Sequence, residues 1–449
     1  MYYRVPGVRA VLVMAILAVL AAGPSKVLAQ AGVAVDAEGV LRLKMSADPG
    51  GRLAKEHAVA ARATLASKAA TPSKLRKISL KHLEQVILEK QGVLGDEVRN
   101  LAGLLRVRYV FYYPDSQDIV LAGPAEGWRT DAFGRVVGIE SGRPVVLLED
   151  LAVALRTFAP AGPASRLVGC SIDPTQEGLA AMQRFLASIH PTPGDVQMIV
   201  NGLRTSLGLQ TISVFGVSPK THFAQVMVEA DYRMKLIGIG LEKPPVRLVS
   251  YVDRATPSQV SRNALARWFF TPDYQCVRTT GDGLAMELVG DGVKVVGADE
   301  VVGAGGQRQS SGQADAASHA FVASFTKVYS ELADKSPVFA QLRNQIDLLV
   351  AAAYLHDQNL YAKAGWKMEV LGDEKVVPVE TQNAPKQVST AVNALWKGHH
   401  LMTPVGGGVQ IAAQTALSSE NLLRDEDGKV AKVRRQTRIE LAKGQWWWD

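Results

Sequence analysis

Strand and helix patterns alternate closely along residues 77–245, and this alternation constrains the fold more than any other feature of the chain. Two β-rich runs, "LRVRYVFYYP" and "DIVLAGP", flank the polar stretch Asp115–Gln117, which is typical of a β-hairpin. Near them lie runs with helical spacing, such as "LKHLEQVILEK", which Ser79 can cap. Because hairpins require antiparallel strand pairs, the sequence predicts an α+β fold with mixed, largely antiparallel sheets.

The C-terminal third adds a helical hairpin to these sheets. Ser336–Pro337 combines a capping residue with a proline suited to the first helical position, and it separates two helical stretches. Upstream, Gly290–Gly292 lies between two apolar runs and predicts another tight hairpin. Residues 303–315 are small, polar and without periodicity, so they predict a linker.

The chain is long enough for two or three domains, and its patterns divide it into consecutive segments. They are a signal peptide (1–29), a lead-in segment (30–76), an α+β domain (77–245), a small β-rich segment (246–302), the linker (303–315), a helical hairpin with a β segment (316–413) and a basic, tryptophan-rich tail (414–449).

The first segment has the three parts of a secretory signal peptide. Arg4 and Arg9 give a positive start, Ala10–Gly23 is an apolar run of fourteen residues, and small residues precede a cleavage site after Ala29. A helix that spans a bilayer needs about 20 apolar residues, and this run is shorter. An uncleaved N-terminal anchor is the alternative. We therefore expect a secreted or periplasmic protein with no transmembrane span in the mature chain.

The net charge limits the classes of partner. At +7 the chain is mildly basic, which suits an anionic wall or membrane surface. Nucleic acid is not expected, because an exported protein rarely meets it, whereas a cell-envelope polymer or protein is a natural partner. The tail combines basic residues with Trp446–Trp448, so it predicts either contact with a membrane surface or a packed terminus.

The sequence contains two cysteines, Cys170 and Cys276. In an oxidising compartment they could form one disulfide bridge that closes a long loop. The alternative is that both are unpaired and buried as small apolar side chains. The sequence leaves both alternatives open.

Several long blocks carry a resemblance to a known family: "RYVFYYPDSQDIVLAGPAEGW", "CSIDPTQEGLAAMQRF", "VEADYRMKLIGIGLEKPPV", "RWFFTPDY" with "GVKVVGADE", and "LMTPVGGGVQI". In these blocks the chain resembles an uncharacterised family of exported planctomycete proteins, classed as a domain of unknown function. The resemblance covers roughly residues 77–412. It implies an exported location, and it implies no activity, substrate or site residue.

The stretch "GHHLMTPVGGGVQI" contains the residues that most resemble a metal or phosphate site. His399 and His400 are adjacent, so on a strand their side chains point to opposite faces and make only weak metal candidates. Gly406–Gly408 lacks the spacing of the phosphate-binding and dinucleotide-binding motifs. We expect a hairpin with the glycines at its tip, and no cofactor.

Carboxylates are the remaining route to catalysis. Glu126 precedes Gly127-Trp128, Asp173 ends a predicted strand, and "EADYRMK" brings Asp231 and Arg233 together. Two carboxyl groups on either side of a sugar bond would make a glycosidase. The alternative is that Glu126 lies in a turn, Asp173 caps a helix and Asp231 and Arg233 are solvated or paired.

These observations favour a non-enzymatic protein. The sequence contains no complete catalytic motif, so we predict a binding or structural component of the cell envelope. The alternative is a carboxylate-based hydrolase that acts on envelope polymers or glycans through Glu126, Asp173 or Asp231, with Arg233 nearby.

Overall fold

The structure of the protein is a computed structural model that describes residues 27–49, 51–163, 166–190, 192–256, 264–302, 308–310, 316–393, 395–397, 400–402, 406–437, 439 and 441–449. Three predictions therefore fall wholly or partly outside the described residues. They concern the signal peptide (1–26), most of the linker (303–307 and 311–315) and His399.

The strands of the described chain are, in order, β1 (Val27–Val35), β2 (Val40–Pro49), β3 (Ser73–Ser79), β4 (Tyr109–Tyr113), β5 (Asp118–Ala125), β6 (Trp128–Thr130), β7 (Val136–Gly138), β8 (Leu167–Asp173), β9 (Leu209–Phe215), β10 (Ala264–Pro272), β11 (Val277–Thr279), β12 (Ala285–Leu288), β13 (Val293–Val302), β14 (Arg308–Ser310), β15 (Gln387–Ser389), β16 (Leu395–Lys397), β17 (His400–Met402), β18 (Gly407–Ala412), β19 (Leu423–Arg424) and β20 (Trp447–Trp448).

The α-helices are α1 (Arg52–Thr64), α2 (Ser67–Ala70), α3 (Leu80–Glu89), α4 (Asp96–Arg99), α5 (Leu148–Thr157), α6 (Gln176–Ser188), α7 (Val196–Leu207), α8 (His222–Gly238), α9 (Tyr251–Arg254), α10 (Ala316–Lys327), α11 (Tyr329–Lys335), α12 (Pro337–Asp357), α13 (Leu360–Lys363) and α14 (Lys429–Gln436). Short 3₁₀ turns cover Leu101–Gly103, Pro193–Asp195 and Ala413–Leu417.

Two large sheets organise these elements. The nine-stranded sheet has the order β1-β2-β15-β9-β8-β18-β10-β13-β14, and the seven-stranded sheet has the order β19-β11-β12-β4-β5-β3-β20. Most neighbours are antiparallel, and the parallel pairs are β2 with β15, β10 with β18, and β11 with β19. The predicted α+β fold with mixed, largely antiparallel sheets is confirmed.

Helix α12 is buried along almost its whole length, from Val338 to Leu355. It begins at Pro337 with Ser336 in the N-cap position, as the sequence predicts. Because water does not cover any face of this helix, its side chains pack against other parts of the protein on all sides.

Both large sheets contact α12. Phe339 packs against Phe270 of β10, with ring centroids 6.0 Å apart. Near the other end of the helix, the Tyr354 hydroxyl lies 3.2 Å from Thr279 Oγ1 of β11. The helix therefore lies between a strand of the nine-stranded sheet and a strand of the seven-stranded sheet.

The hairpin predicted around Asp115–Gln117 is present, because β4 and β5 pair directly. The hairpin predicted at Gly290–Gly292 is wrong. Strand β12 before the glycines pairs in the seven-stranded sheet, whereas β13 after them pairs in the nine-stranded sheet. Gly290 and Gly292 have φ of 66° and 71°, so these glycines turn the chain from one sheet into the other.

The hairpin predicted with Gly406–Gly408 at its tip is also wrong. Strand β17, which contains His400, pairs with β16, and the glycines lead into and begin β18. A Cβ atom on Gly407 would lie 2.1 Å from the Trp268 carbonyl oxygen, and one on Gly408 would lie 2.2 Å from that of Cys170. The glycines are needed because two neighbouring strands approach β18 closely.

Both cysteines are free and buried, so the structure contains no bridge between Cys170 and Cys276. The second alternative left open by the sequence is the one found. Burial raises the pKa of both thiols, that of Cys276 to about 12, and it therefore keeps them protonated and unreactive at neutral pH.

The tryptophans of the C-terminal tail pack against the protein. Trp447 pairs with Ile78 in the seven-stranded sheet and donates a hydrogen bond of 2.6 Å to Glu97. Arg76 stacks over the Trp447 ring at 4.4 Å and pairs with Asp449 at 2.9 Å. The packed terminus, not a membrane-facing surface, is the alternative that these contacts support.

The predicted segments share their sheets. The nine-stranded sheet takes strands from the lead-in segment, the α+β domain, the small β-rich segment and residues 316–413. It also takes β14 from within the predicted linker, so residues 308–310 form an edge strand there. The division into separate domains stays a prediction. Within the described residues, no helix combines the length and the apolar character that crossing a membrane requires.

Candidate functional site

Glu126, the first carboxylate predicted from the sequence, is buried, and one of its oxygens binds the turn at Glu140–Ser141. Its Oε1 accepts hydrogen bonds from the Ser141 hydroxyl at 2.7 Å, from the Ser141 amide at 2.9 Å and from the Glu140 amide at 3.3 Å. A Cβ atom on Gly138 would lie 1.7 Å from the same oxygen, so the turn closes tightly around the carboxylate. These contacts agree with the alternative to catalysis stated above, in which Glu126 lies in a turn.

Asp173 and Asp231 lie near each other, and Asp231 is buried whereas Asp173 is half-buried. Asp173 pairs with Arg267 at 2.8 Å, and Asp231, which is 0% exposed, pairs with Lys235 at 3.0 Å. Burial raises the pKa of Asp231 to about 6 against the opposing effect of Lys235, and the charge of Asp173 adds to the rise. Thr175, not Asp173, caps the following helix by accepting from the Gly178 amide.

Arg233 also has a partner, because its guanidinium lies 2.6 Å from Glu242. Neither this arginine nor Glu126, Asp173 or Asp231 lines the large cleft described next. The four residues therefore belong to internal ion pairs and hydrogen bonds.

A cleft of about 900 Å³ opens between α1, the β6–β7 hairpin, the first turns of α5 and α8, and residues 377–382. Its size falls within the usual range of small-molecule sites. The wall combines apolar and polar side chains, and several charged groups from distant parts of the sequence face into it. The cleft is the candidate site.

His222 lies at the floor of the cleft, at the start of α8. The preceding Thr221 caps this helix by accepting a hydrogen bond of 3.1 Å from the Ala224 amide, which fixes where the helix begins. The His222 Nδ1 atom lies 3.0 Å from both carboxylate oxygens of Asp150 on α5. The cap and this hydrogen bond together set the orientation of the imidazole ring.

The charges around His222 keep it protonated. Burial alone would lower its pKa, but the charge and hydrogen bond of Asp150, helped by Glu149, outweigh burial and raise the pKa to about 9. Burial in turn raises the pKa of Glu149, although His222 opposes the rise. At neutral pH the cleft floor therefore carries an imidazolium beside two carboxyl groups.

Gln341 of α12 completes the floor. Its amide nitrogen is placed 3.3 Å from His222 Nε2. Because both ring nitrogens of an imidazolium are donors, the atom of Gln341 that faces the ring must be its oxygen. The amide group turned in this way leaves its two N–H donors for another partner.

An ion-pair network forms the next part of the wall. Arg135, which follows the loop after β6, lies 2.5 Å from Glu229 on α8, and Arg233 lies 3.7 Å from the same carboxylate. The Arg135 side chain is only 9% exposed. The network anchors the β6–β7 hairpin to α8 and gives the cleft a rigid side.

Arg129 of β6 differs from the other cations of the cleft. Arg99 donates to the Leu94 carbonyl, Arg135 pairs with Glu229, and His222 pairs with Asp150. In contrast, the side chain of Arg129 makes no hydrogen bond or ion pair with any described residue, and its Nε atom is buried without a partner. A guanidinium held in this way is ready to receive an anionic group from a ligand.

The two histidines named as weak metal candidates lie near the end of the C-terminal β segment. His400 belongs to β17, and His399 lies outside the described residues. Across the described ranges, no group of three or more His, Cys, Asp and Glu side chains is arranged to hold a metal ion.

The sequence analysis missed every charged residue that defines the cleft. Asp150 and His222 are 72 positions apart, and no local pattern connects them. The signals present were weak: adjacent carboxylates in the first turn of α5, and an isolated histidine just after a capping threonine. Only the packing of α5 against α8 turns these signals into a site.

A family described as a protein of unknown function (DUF1598) matches residues 170–251. The matched segment includes α8 and therefore His222 and Glu229, whereas Arg129 and Asp150 lie outside it. Neither a curated protein nor a solved structure matches the chain.

Proposed function

We propose that this chain is an exported, non-enzymatic binding protein of the cell envelope. Its cleft binds an acidic ligand that also carries hydroxyl or amide groups, such as an acidic glycan fragment. The observation that carries the proposal is Arg129, a cation on the wall of a cleft of about 900 Å³ with no protein partner among the described residues.

The floor of the cleft suits the remainder of such a ligand. The amide N–H groups of Gln341, held in place by His222, supply fixed hydrogen-bond donors, and the Arg135–Glu229 pair prevents the wall from collapsing. A few well-placed polar groups in a largely preformed cavity are the usual basis of specific binding. The ligand's carboxylate would pair with Arg129, and its hydroxyl groups would meet the floor.

Export is the second part of the proposal. It rests on Arg4 and Arg9, the apolar run Ala10–Gly23 and the small residues before the expected cleavage after Ala29. Cleavage at this point would remove Val27–Ala29 from the start of β1. N-terminal sequencing of the protein recovered from the periplasm or medium tests this step directly.

A hydrolase is the second candidate, and Glu149 is the observation that favours it. Its raised pKa suits a general acid, and it shares the cleft with His222. Two features weigh against it. An imidazole with a pKa of about 9 is a poor base at neutral pH, and the nearby Glu229 is already paired with Arg135.

The test of the proposed binding is calorimetric titration of the purified chain with acidic glycan fragments and with neutral fragments of the same size. We expect Arg129→Gln to weaken binding of the acidic fragments by at least about ten-fold, because a charge-assisted bond is lost. Arg62→Gln is the matched control, since Arg62 is an exposed arginine on α1 outside the cleft. Equal affinity of wild type and Arg129→Gln would rule the proposal out, and cleavage of the fragments would favour the hydrolase.

A further inference from the structure

A second pocket, of about 380 Å³, lies on a different side of α12 from the cleft. Gln341 lines the cleft and Arg343 lines the second pocket, and residues two positions apart on a helix do not share a face. We call it the arginine pocket, because its charged side chains are Arg106, Arg108, Arg143, Arg343, Asp291 and Asp334. Four guanidinium groups thus face two carboxylates.

Three of the four arginines have a protein partner. Arg106 binds Asp347 through two hydrogen bonds of 2.6 and 3.2 Å and also donates to the Gly290 carbonyl. Arg143 pairs with Asp334 at 2.8 Å. Arg108 lies 3.5 Å from Glu287. These pairs engage Asp347, Glu287 and Asp334, and Asp291, the remaining carboxylate of the pocket, forms no ion pair with the fourth arginine.

The fourth arginine, Arg343, is the exception. It is 6% exposed, its side chain makes no hydrogen bond or ion pair with any residue that the structure describes, and its Nε atom is buried without a partner. Burial lowers the pKa of Arg343, and the positive charge of Arg106 lowers it further. A buried cation next to other cations is costly unless an anion accompanies it.

We infer that the arginine pocket binds a phosphate group, either as free phosphate or as a phosphate monoester, with Arg343 as its principal ligand. The planar fork of a guanidinium matches two oxygens of a phosphate group. The partly exposed Arg143 and Arg108 lie at the same pocket and can contact the remaining oxygens.

The volume of the pocket leaves room beyond the phosphate group itself. Asp291 lines that space, and a carboxylate there would repel a second anion but accept a hydrogen bond from a hydroxyl group. A monoester of a hydroxylated molecule therefore complements the whole pocket, whereas inorganic phosphate complements only its cationic part. This site shares no lining residue with the cleft, so it does not depend on the function proposed above.

The experiment is calorimetric titration of the full chain with inorganic phosphate and, separately, with glycerol 3-phosphate, at constant ionic strength. We expect both probes to bind to wild type and Arg343→Met to reduce both affinities by at least about ten-fold. Tighter binding of glycerol 3-phosphate identifies a monoester as the ligand class, and equal binding identifies the free ion. Arg62→Gln, an exposed arginine outside both the cleft and the arginine pocket, is the control and should leave phosphate binding unchanged.

A second variant keeps the test valid if Arg343→Met does not fold. The Arg143 side chain is 43% exposed, so Arg143→Gln leaves the interior intact and should weaken phosphate binding several-fold. The inference is overturned if neither probe binds to wild type at concentrations up to about 10 mM. It is also overturned if both arginine variants bind phosphate as wild type does.

Discussion

Replacing Asp150 with asparagine should remove a pH-dependent part of the stability. In wild type the pKa of His222 rises from 6.5 to about 9 because Asp150 holds its imidazolium. A raised pKa in the folded state stabilises the protein fully below pH 6.5, and this stability is lost as the pH rises through about 9. Asp150→Asn removes the charge that raises the pKa of His222. The stability of the variant should therefore not fall as the pH rises through about 9.

The expected change in the free energy of unfolding follows from the shift in the pKa of His222. At 1.36 kcal/mol per pKa unit, the rise corresponds to about 3 kcal/mol. The His222 side chain is 18% exposed, so solvent screening reduces the expected value to about 2 kcal/mol. At pH 6, Asp150→Asn should therefore unfold with a free energy about 2 kcal/mol lower than wild type, and the two should converge near pH 10.

The assay is urea unfolding of both proteins at intervals from pH 6 to pH 10, together with an NMR titration of the His222 ring protons, assigned with a His222→Asn variant. Groups such as lysines and tyrosines titrate in both proteins, so the difference between the two curves isolates His222. Asp96→Asn, an exposed carboxylate at the cleft, is the control and should follow wild type. Parallel stability curves for wild type and Asp150→Asn, or a His222 pKa at or below 6.5, would refute the reasoning.

Three further substitutions, one of them with a matched control variant, test the structural roles. Glu126→Gln weakens the hydrogen bonds to Ser141 and should cost about 1–3 kcal/mol of unfolding free energy without changing ligand affinity; normal stability with lost binding or cleavage would restore Glu126 as a functional residue. Asp347→Asn leaves two cations in the interior and should cost about 3–5 kcal/mol in urea unfolding, and a loss below 1 kcal/mol would contradict the buried pairing. Gly407→Ala should prevent folding, as followed by circular dichroism, because its Cβ meets a carbonyl oxygen at 2.1 Å; Gly428→Ala, where the space is open, should fold at a cost of about 1–2 kcal/mol, and equal behaviour of the two variants would count against the close strand packing.

The fold class and several local elements could be predicted from the sequence because their signals are local. The hairpin around Asp115–Gln117 follows from alternating apolar runs and a polar turn, and α12 begins at Pro337 because proline suits the first turn of a helix. Each signal lies within a few residues of the structure that it specifies.

The two glycine stretches show where local signals stop being sufficient. Glycines between apolar runs predict a hairpin, yet Gly290–Gly292 joins strands of different sheets, and Gly407 and Gly408 lie within a strand. A glycine is required both where φ is positive and where a neighbouring backbone comes close, and these needs look identical in the sequence. Strand pairing decides between them, and pairing depends on residues far along the chain.

The candidate site could not be predicted for the same reason. The carboxylates chosen from the sequence stood in conspicuous local patterns, and Glu126 owes its pattern to a turn. Arg129 and Arg343 differ from the other arginines because, in the folded protein, the buried Nε atom of each lacks a hydrogen-bond partner and the side chain lacks a carboxylate. No local pattern indicates which arginine will be left without a carboxylate.

The sheet order has a consequence for how the protein forms. Strand β2 pairs with β15, and β3 pairs with β20, so the first third of the chain is bound to segments made much later. Contacts between residues so distant in sequence are slow to form, because a long loop must close before they become favourable. We expect neither sheet to be complete before Gln387–Ser389 and Trp447–Trp448 have emerged. One edge each of β2 and β3 therefore stays unpaired until the C-terminal part of the chain has been synthesised.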